Sequence, residues 1–572
     1  MSIATPPRGT LPRAATWNAE SVFADEAALE AEIAAIQAAL PALRARQGAL
    51  SAGPLVPGTE GERGAALAET LEAVFALRAR GDRVVAYSAV AYYVDTGDPA
   101  GGARWSRAQG LASQVLAATS FLRPELLALG APTLEAWAAA EPRLAAYAHF
   151  FADLFRKQAH VRSAEVEEML GLLAEPFAST TATESLLTDA DFVFPAGRAA
   201  DGAPVDVNQS SIHAILAGPD REARRTAWEN YADVYLDHRH SLTNNLATSI
   251  KQNVFLMRAR RQASTLALSL SENNIPPAVF HNLIETFRRN LPTWHRYWRV
   301  RRRALGVATL HPYDVWAPLT AQPPVISYPQ AVEHICAGLA PLGAEYVNVM
   351  RRGCLEERWV DYRPNQGKFN GAFSWGAPGT HPFIVMAYTD DIFGLSTLAH
   401  ELGHSMHSYL SWQTQPKVYA DYSLFAAEVA SNFHQAMTRA HLLQAVTDRN
   451  FQINVLEEAL SNFHRYFFIM PTLARFELEL HERVERGEGL NAPALLDLMA
   501  DLFAEAYGGE VHVDRERVGI TWAQFSHLYS DYYVYQYATG ISAATAFSQR
   551  ILSGVPQAAA DYLGFLRTGS AA

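Results

Sequence analysis

The sequence is short of cysteine, of positive charge and of long apolar runs, and each shortage excludes something. Only Cys336 and Cys354 occur in 572 residues, too few for a disulfide framework in a chain this long, and a reducing, cytoplasmic setting is the simplest expectation. Lys and Arg number 47 against 59 Asp and Glu, a formal net charge of −12, which works against non-specific nucleic-acid binding. No stretch of about 18 apolar residues is present, and the opening segment from Met1 to Trp17 lacks the apolar core of roughly 7–15 residues that a secretory signal carries. Neither a membrane nor a nucleic acid is expected as a partner. What is present is the composition of a folded protein, 49% apolar and 19% charged, long enough for several modules or one large multi-lobed body.

Local basic spots exist despite the acidic balance, at Arg258-Ala259-Arg260-Arg261 and at Arg299-Val300-Arg301-Arg302-Arg303. Trp294, Tyr297 and Trp298 precede the second run at helical spacing, which marks an apolar helix face more readily than a base-stacking platform. The two runs read as solvated or ion-paired helix faces.

Apolar residues recur three and four apart at Leu29, Ile33, Ile36, Leu40 and Leu43, the stripe of an amphipathic helix that Pro41 should kink or end. A second stripe, Leu67, Leu71, Val74 and Leu77, follows a loop running from Ser51 through Pro54 and Pro57 to Gly58. Similar Ala- and Leu-rich segments continue to about residue 180, so the first third reads as a helical bundle. Alternation at Phe192, Phe194, Val205 and Val207 around Gly197 and Gly202 predicts a short hairpin and a lobe boundary. We therefore divide the chain into an N-terminal helical lobe, 1–195, and a second region, 196–572. Further on, Pro382 to Tyr388 is a short apolar run between turn formers and predicts a strand.

Directly after that strand lies His400-Glu401-Leu402-Gly403-His404. Helical positions four apart fall about 40° apart on one face, so two imidazoles can converge on one ion, with zinc taking such nitrogens at about 2.0–2.1 Å. Glu401 sits about 100° from His400, beside the pair, where its carboxylate reaches a metal-activated water without being a ligand. Chance would produce this five-residue pattern roughly 0.03 times in such a chain.

A catalytic zinc needs a third protein ligand. His407 shares the face but lies about 10.5 Å along the axis from His400, too far to bind the same ion. Of the downstream carboxylates Asp421 and Glu428, Glu428 is the better candidate, because an acid in the apolar pattern Ser423 to Ser431 is costly unless paired or bound to metal. Leu410 stands where a metzincin would carry its third histidine. Ser423 and Leu424 occupy the positions at which thermolysin-like and aminopeptidase-like proteins place their ligand Glu.

A second cluster, from Trp522 to Gly540, holds His527, Tyr529, Tyr532, Tyr533, Tyr535 and Tyr537. Phenols and imidazoles beside a zinc-polarised carbonyl donate hydrogen bonds to the oxyanion of a tetrahedral intermediate; the competing reading is an aromatic helix packed in the core.

Thr397 to His407, Ala427 to Ser431 and His527 to Gly540 together resemble the oligoendopeptidase F family, among the thimet-oligopeptidase-type zinc metallopeptidases. Weaker likeness extends to Phe383–Tyr388, Tyr313–Leu319 and Thr16-Trp17. The resemblance implies a mainly α, zincin-like, two-lobed body with a deep substrate channel and a small β-sheet beside the active-site helix. It implies one zinc ion held by His400, His404 and Glu428, Glu401 as general base, and His527 with Tyr535 as substrate and transition-state contacts, Tyr529 and Tyr533 belonging to the same group. Asn432, His434, Gln435 and the pair Ser530-Asp531 depart from the family's usual residues.

The expected activity is metal-assisted hydrolysis of internal bonds in short peptides, with the edge of the Phe383 to Tyr388 strand aligning the substrate backbone. A zinc carboxypeptidase or dipeptidyl carboxypeptidase of similar fold is the rival within the same chemistry, and an inactive peptide-binding protein the rival outside it.

Overall fold

The computed structural model describes residues 5–50 and 58–571. The predicted loop from Ser51 to Pro57 lies outside the described residues. The chain forms two compact units, each built from separate chain segments: Met1–Ala159 with Pro324–Val446 and Ala543–Ala572, and His160–Pro323 with Thr447–Ser542. The sequence division at 195/196 falls inside the second of these, beside a short hairpin. Both units are mainly helical, and none of the described helices is long and apolar enough to cross a membrane.

In the first unit the predicted helical stripe is a helix, Glu26–Arg44, started by Asp25, whose side chain accepts from Ala28 N at 2.8 Å. It passes through Pro41 and ends three residues later. The missing proline N–H removes one bond only, and the remainder is a single frayed turn. Leu29, Ile33, Ile36, Leu40 and Leu43 pack with Leu67, Leu71, Val74 and Leu77 of the helix Glu60–Tyr93 in one core.

The same unit holds a three-stranded sheet in the order Val360–Asp361, Phe383–Val385, Phe373–Trp375, parallel then antiparallel. The predicted strand is thus the central one, and Phe383, Ile384 and Val385 are all buried. Its two edges are both paired, so it cannot align a substrate by strand addition as expected from sequence. Phe373–Trp375 is an edge strand and half-exposed. Continuous apolar character marks a strand buried on both faces, which is the reason the sequence signal was strong there and absent at the edges.

In the second unit the hairpin forms at Gly197–Arg198 and Pro204–Val205, later than the alternation at Phe192 and Phe194 suggested. Residues of both basic runs are paired. Arg301 donates to the carbonyls of Asp314 and Ala317, Arg299 meets Glu510 at 2.9 Å, and Arg260 meets Glu167 at 3.1 Å. Trp294 and Trp298 are buried and stacked at 5.7 Å, core residues as their spacing predicted. Cys336 and Cys354 are free, buried thiols of the first unit.

Removing side-chain volume at the centre of the first unit's bundle should cost more than removing a surface ion pair. Ile36→Ala is expected to destabilise by about 2–5 kcal/mol, and Arg107→Ala, which breaks an exposed pair with Glu30, by less than about 1 kcal/mol. Denaturant midpoints of the two variants check the order.

Candidate metal centre and active site

The motif lies on the helix Ile392–Thr414, whose start is set by Asp391 accepting from Gly394 N at 2.7 Å. The helix packs on the sheet and, more closely, on the helix Leu424–Ala445. Gly403 permits that approach: a Cβ there would stand 2.4 Å from the Ala430 carbonyl oxygen and 2.6 Å from Ser431 Cα. The second helix thereby brings Glu428 to the two histidines.

His400, His404 and Glu428 offer ligand atoms that all lie within 4.8 Å of one another. The two Nε2 atoms are 3.3 Å apart, and Glu428 Oε2 is 3.4 Å from His400 Nε2 and 4.0 Å from His404 Nε2. Donors held at about 2.0–2.1 Å around a tetrahedral ion stand about 3.3–3.4 Å apart, so the set fits zinc in spacing and in chemistry. Asp421 is not in the group, and His407 is buried with its ring stacked on Tyr422 at 3.6 Å.

Hydrogen bonding sets which nitrogen of His400 carries its proton. Gln435 Nε2 lies 2.8 Å from Ser396 Oγ and 3.4 Å from the Ser396 carbonyl, which only accepts, so Gln435 presents Oε1 to His400 Nδ1 at 3.3 Å. His400 Nδ1 therefore carries the proton, and Nε2 is left with a lone pair. Burial pushes the His404 pKa down to about 4, with Glu428 opposing and His400 adding to the drop, so this ring is neutral near pH 7. Ser431 Oγ donates to Glu428 Oε2 at 2.8 Å. Gln435 and Gly403 are the residues that sequence reasoning missed as contributors. In the sequence Gln435 is marked only as a departure from the family's usual residues, and close packing of a glycine leaves no mark in one sequence.

Glu401 is 5% exposed, and its Oε2 is a buried oxygen without a hydrogen-bond partner. Burial pushes this carboxyl up to about 7, with the neighbouring His400 opposing and Glu428 adding to the rise. A cation held by the adjacent donors favours its ionised form. An unpaired carboxylate oxygen beside a metal-type donor set is the arrangement a water-activating base requires.

The aromatic residues belong to the second unit. His527 faces Tyr533 with rings at 5.9 Å and 15°, and Tyr537 edge-on at 5.9 Å. Tyr537 donates to the Tyr533 hydroxyl at 2.8 Å, and Tyr466 stacks on Tyr537 at 5.1 Å. Tyr529 accepts from Asn245 Nδ2 at 3.1 Å. Tyr535 is 1% exposed, its ring packed against Phe280 at 5.3 Å. Tyr535 is thus buried, while Tyr533 and Tyr537 stand half-buried at His527. Burial, with the charge of Arg465, pushes the His527 pKa down to about 4, and burial raises the Tyr529 and Tyr535 pKa values above the ordinary phenol range.

The family model described as peptidase family M3 matches residues 214–572, and one described as oligopeptidase F matches residues 125–194. The chain belongs to peptidase family M3. It is a metallopeptidase, similar over 99% of its length, at 32% identity, to oligopeptidase PepF of Bacillus subtilis, of which 83% is covered. Group B oligopeptidase PepB of Streptococcus agalactiae is 31% identical over 97% of this chain and 90% of its own. A crystal structure of oligoendopeptidase-F from Enterococcus faecium matches with a TM-score of 0.71 and 28% identity, covering 95% of this chain and 92% of that one. A solved structure from Chlamydophila abortus reaches a TM-score of 0.87 at 29% identity, covering 99% and 93%. The resemblance to oligoendopeptidase F and the mainly helical fold expected from sequence are both borne out.

Two substitutions test how this metallopeptidase builds its centre. Gly403→Ala should push the two helices apart and lower bound metal well below one equivalent, measured by elemental analysis of the folded protein. Gln435→Leu removes the acceptor at His400 Nδ1 and is expected to weaken metal affinity by about 10–100-fold, read by competition with a chelator.

Proposed function

We propose that this chain is a zinc-dependent endopeptidase that cuts internal bonds of short oligopeptides. The observation that carries the reading is the convergence of His400, His404 and Glu428 beside the unpaired Glu401 Oε2 in a family M3 chain. The oligopeptidase and oligoendopeptidase names of the relatives support short peptides and internal cleavage. The acidic net charge and the two free thiols fit a cytoplasmic enzyme with no nucleic-acid partner.

In this reading His400 and His404 bind zinc through Nε2 and Glu428 through a carboxylate oxygen. Bound zinc supplies Lewis-acid polarisation of the scissile carbonyl and lowers the pKa of a water toward about 7. Glu401 Oε2 takes the water proton and passes it to the leaving amine nitrogen, while Gln435 keeps the His400 ring in its ligand orientation. By the family resemblance His527 and Tyr535, with Tyr529 and Tyr533, are the substrate and transition-state contacts, donors to the developing oxyanion; Tyr533 is partly exposed and its ring faces that of His527. The substrate backbone adds to the edge strand Phe373–Trp375, whose Ser374 Oγ hydrogen-bonds Ser405 on the motif helix at 2.8 Å.

Peptides blocked at both termini separate an endopeptidase from a carboxypeptidase. The expected result is one equivalent of zinc, cleavage of blocked peptides, and loss of activity with a chelator that zinc restores. Failure to cut any blocked peptide, with cleavage of free-carboxylate peptides intact, would establish the carboxypeptidase reading instead. Glu401→Gln should keep its zinc and lose turnover by about 10²–10⁴-fold, the range of general-base catalysis. An unchanged turnover number in that variant removes Glu401 as the base.

A further inference from the structure

Between His527 and Tyr533 the backbone makes a turn that few sequences would choose. Tyr532 has φ of +48°, in the left-handed region, and its side chain is fully buried. A bulky residue there is strained, and such strain persists only where the surroundings over-determine it, typically at functional sites. The turn is tied directly to the residues on either side of it. Ser530 N donates to the His527 carbonyl at 3.0 Å, and Tyr533 N to the Ser530 carbonyl at 3.1 Å.

Two buried residues one turn apart on the helix Met470–Glu485 hold this segment. Glu477 Oε1 accepts from Tyr532 N at 2.7 Å, and His481 Nε2 lies 3.2 Å from Asp531 Oδ1. His481 Nδ1 donates to the Glu477 carbonyl at 2.9 Å, so a second proton on Nε2 makes the ring a cation facing the Asp531 carboxylate. Burial opposes that charge, but the hydrogen bond and charge of Asp531, with Glu477, keep the His481 pKa above its ordinary value. The other partners complete the grip. Asn253 Nδ2 donates to Asp531 Oδ1 at 3.1 Å, Ser269 Oγ donates to the Asp531 carbonyl at 3.0 Å, and the Tyr532 hydroxyl meets Thr265 Oγ1 at 3.0 Å. The Tyr532 ring lies 4.9 Å from that of His481.

We propose that Glu477 and His481 are positioning residues, holding the Asp531-Tyr532 turn in its left-handed form and thereby fixing where His527 and Tyr533 point. The inference rests on the reading that His527 and Tyr533 meet the substrate. Neither Glu477 nor His481 touches the substrate in this account; both act through the turn.

A double-mutant cycle on the full-length, zinc-loaded protein tests it, with kcat and KM measured on a blocked peptide together with thermal midpoint and metal content. His481→Gln is expected to lower kcat about tenfold or more and to change KM by less than about threefold, and the loss should vanish in a His527→Ala background. Glu477→Gln, whose amide oxygen still accepts from Tyr532 N, should lose less than Glu477→Leu. If His481→Gln fails to fold, Asp531→Asn breaks the same pair from its partly exposed side and enters the same cycle. An equal fold-loss with and without His527 would mean that the pair only stabilises the fold, and overturns the proposal. So would release of a second equivalent of metal by His481→Gln, since Glu477, His481 and Asp531 have metal-type spacing. Should His527→Ala and Tyr533→Phe leave kcat unchanged, the substrate role of the aromatic group is what fails, a result separate from both.

Discussion

Two imidazole nitrogens and a carboxylate oxygen that face one another at 3.3–4.0 Å repel unless positive charge sits among them. The His400 proton is committed to Gln435 on the far side of its ring, and burial keeps His404 neutral. A divalent cation is the natural way to stabilise such a group, and the rest of the centre is arranged around that need. The helix contact at Gly403 brings the third donor within reach, and Ser396, Gln435 and Ser431 hold the donors in orientation.

The second unit uses polar burial for a different end. Two carboxyl groups and an imidazole are drawn together against a backbone turn that would relax if released. The cost of burying these groups is offset in part by mutual hydrogen bonding, and in the proposal made above it secures a fixed direction for the neighbouring aromatic side chains. Both centres thus place charged or strained elements where a less specific, apolar packing would have been more stable, which is the usual mark of a functional site.

Much of this was legible in the residues themselves. The period of Leu29 to Leu43 reports a helix because burial on one face needs that period, and the five-residue His-Glu pattern reports a metal because helical geometry alone puts its histidines on one side. Trp294 and Trp298 were readable as core for the same reason. The strand at Phe383 was readable from its apolar run, but its place at the centre of the sheet was not, since pairing depends on segments ten and more residues away.

The sequence by itself determined the local chemistry: which helix carries the two histidines and Glu401, which acid is costly to bury unpaired, and which stretch supplies phenols. Only the tertiary structure decided that Gln435 orients His400, that Gly403 sets the helix separation, that the Tyr533 ring faces His527, and that Glu477 and His481 grip the turn between them. The physical reason is that each of these is a contact between separate elements, measured in tenths of an ångström, whereas periodicity along one chain reports only which face of an element is buried.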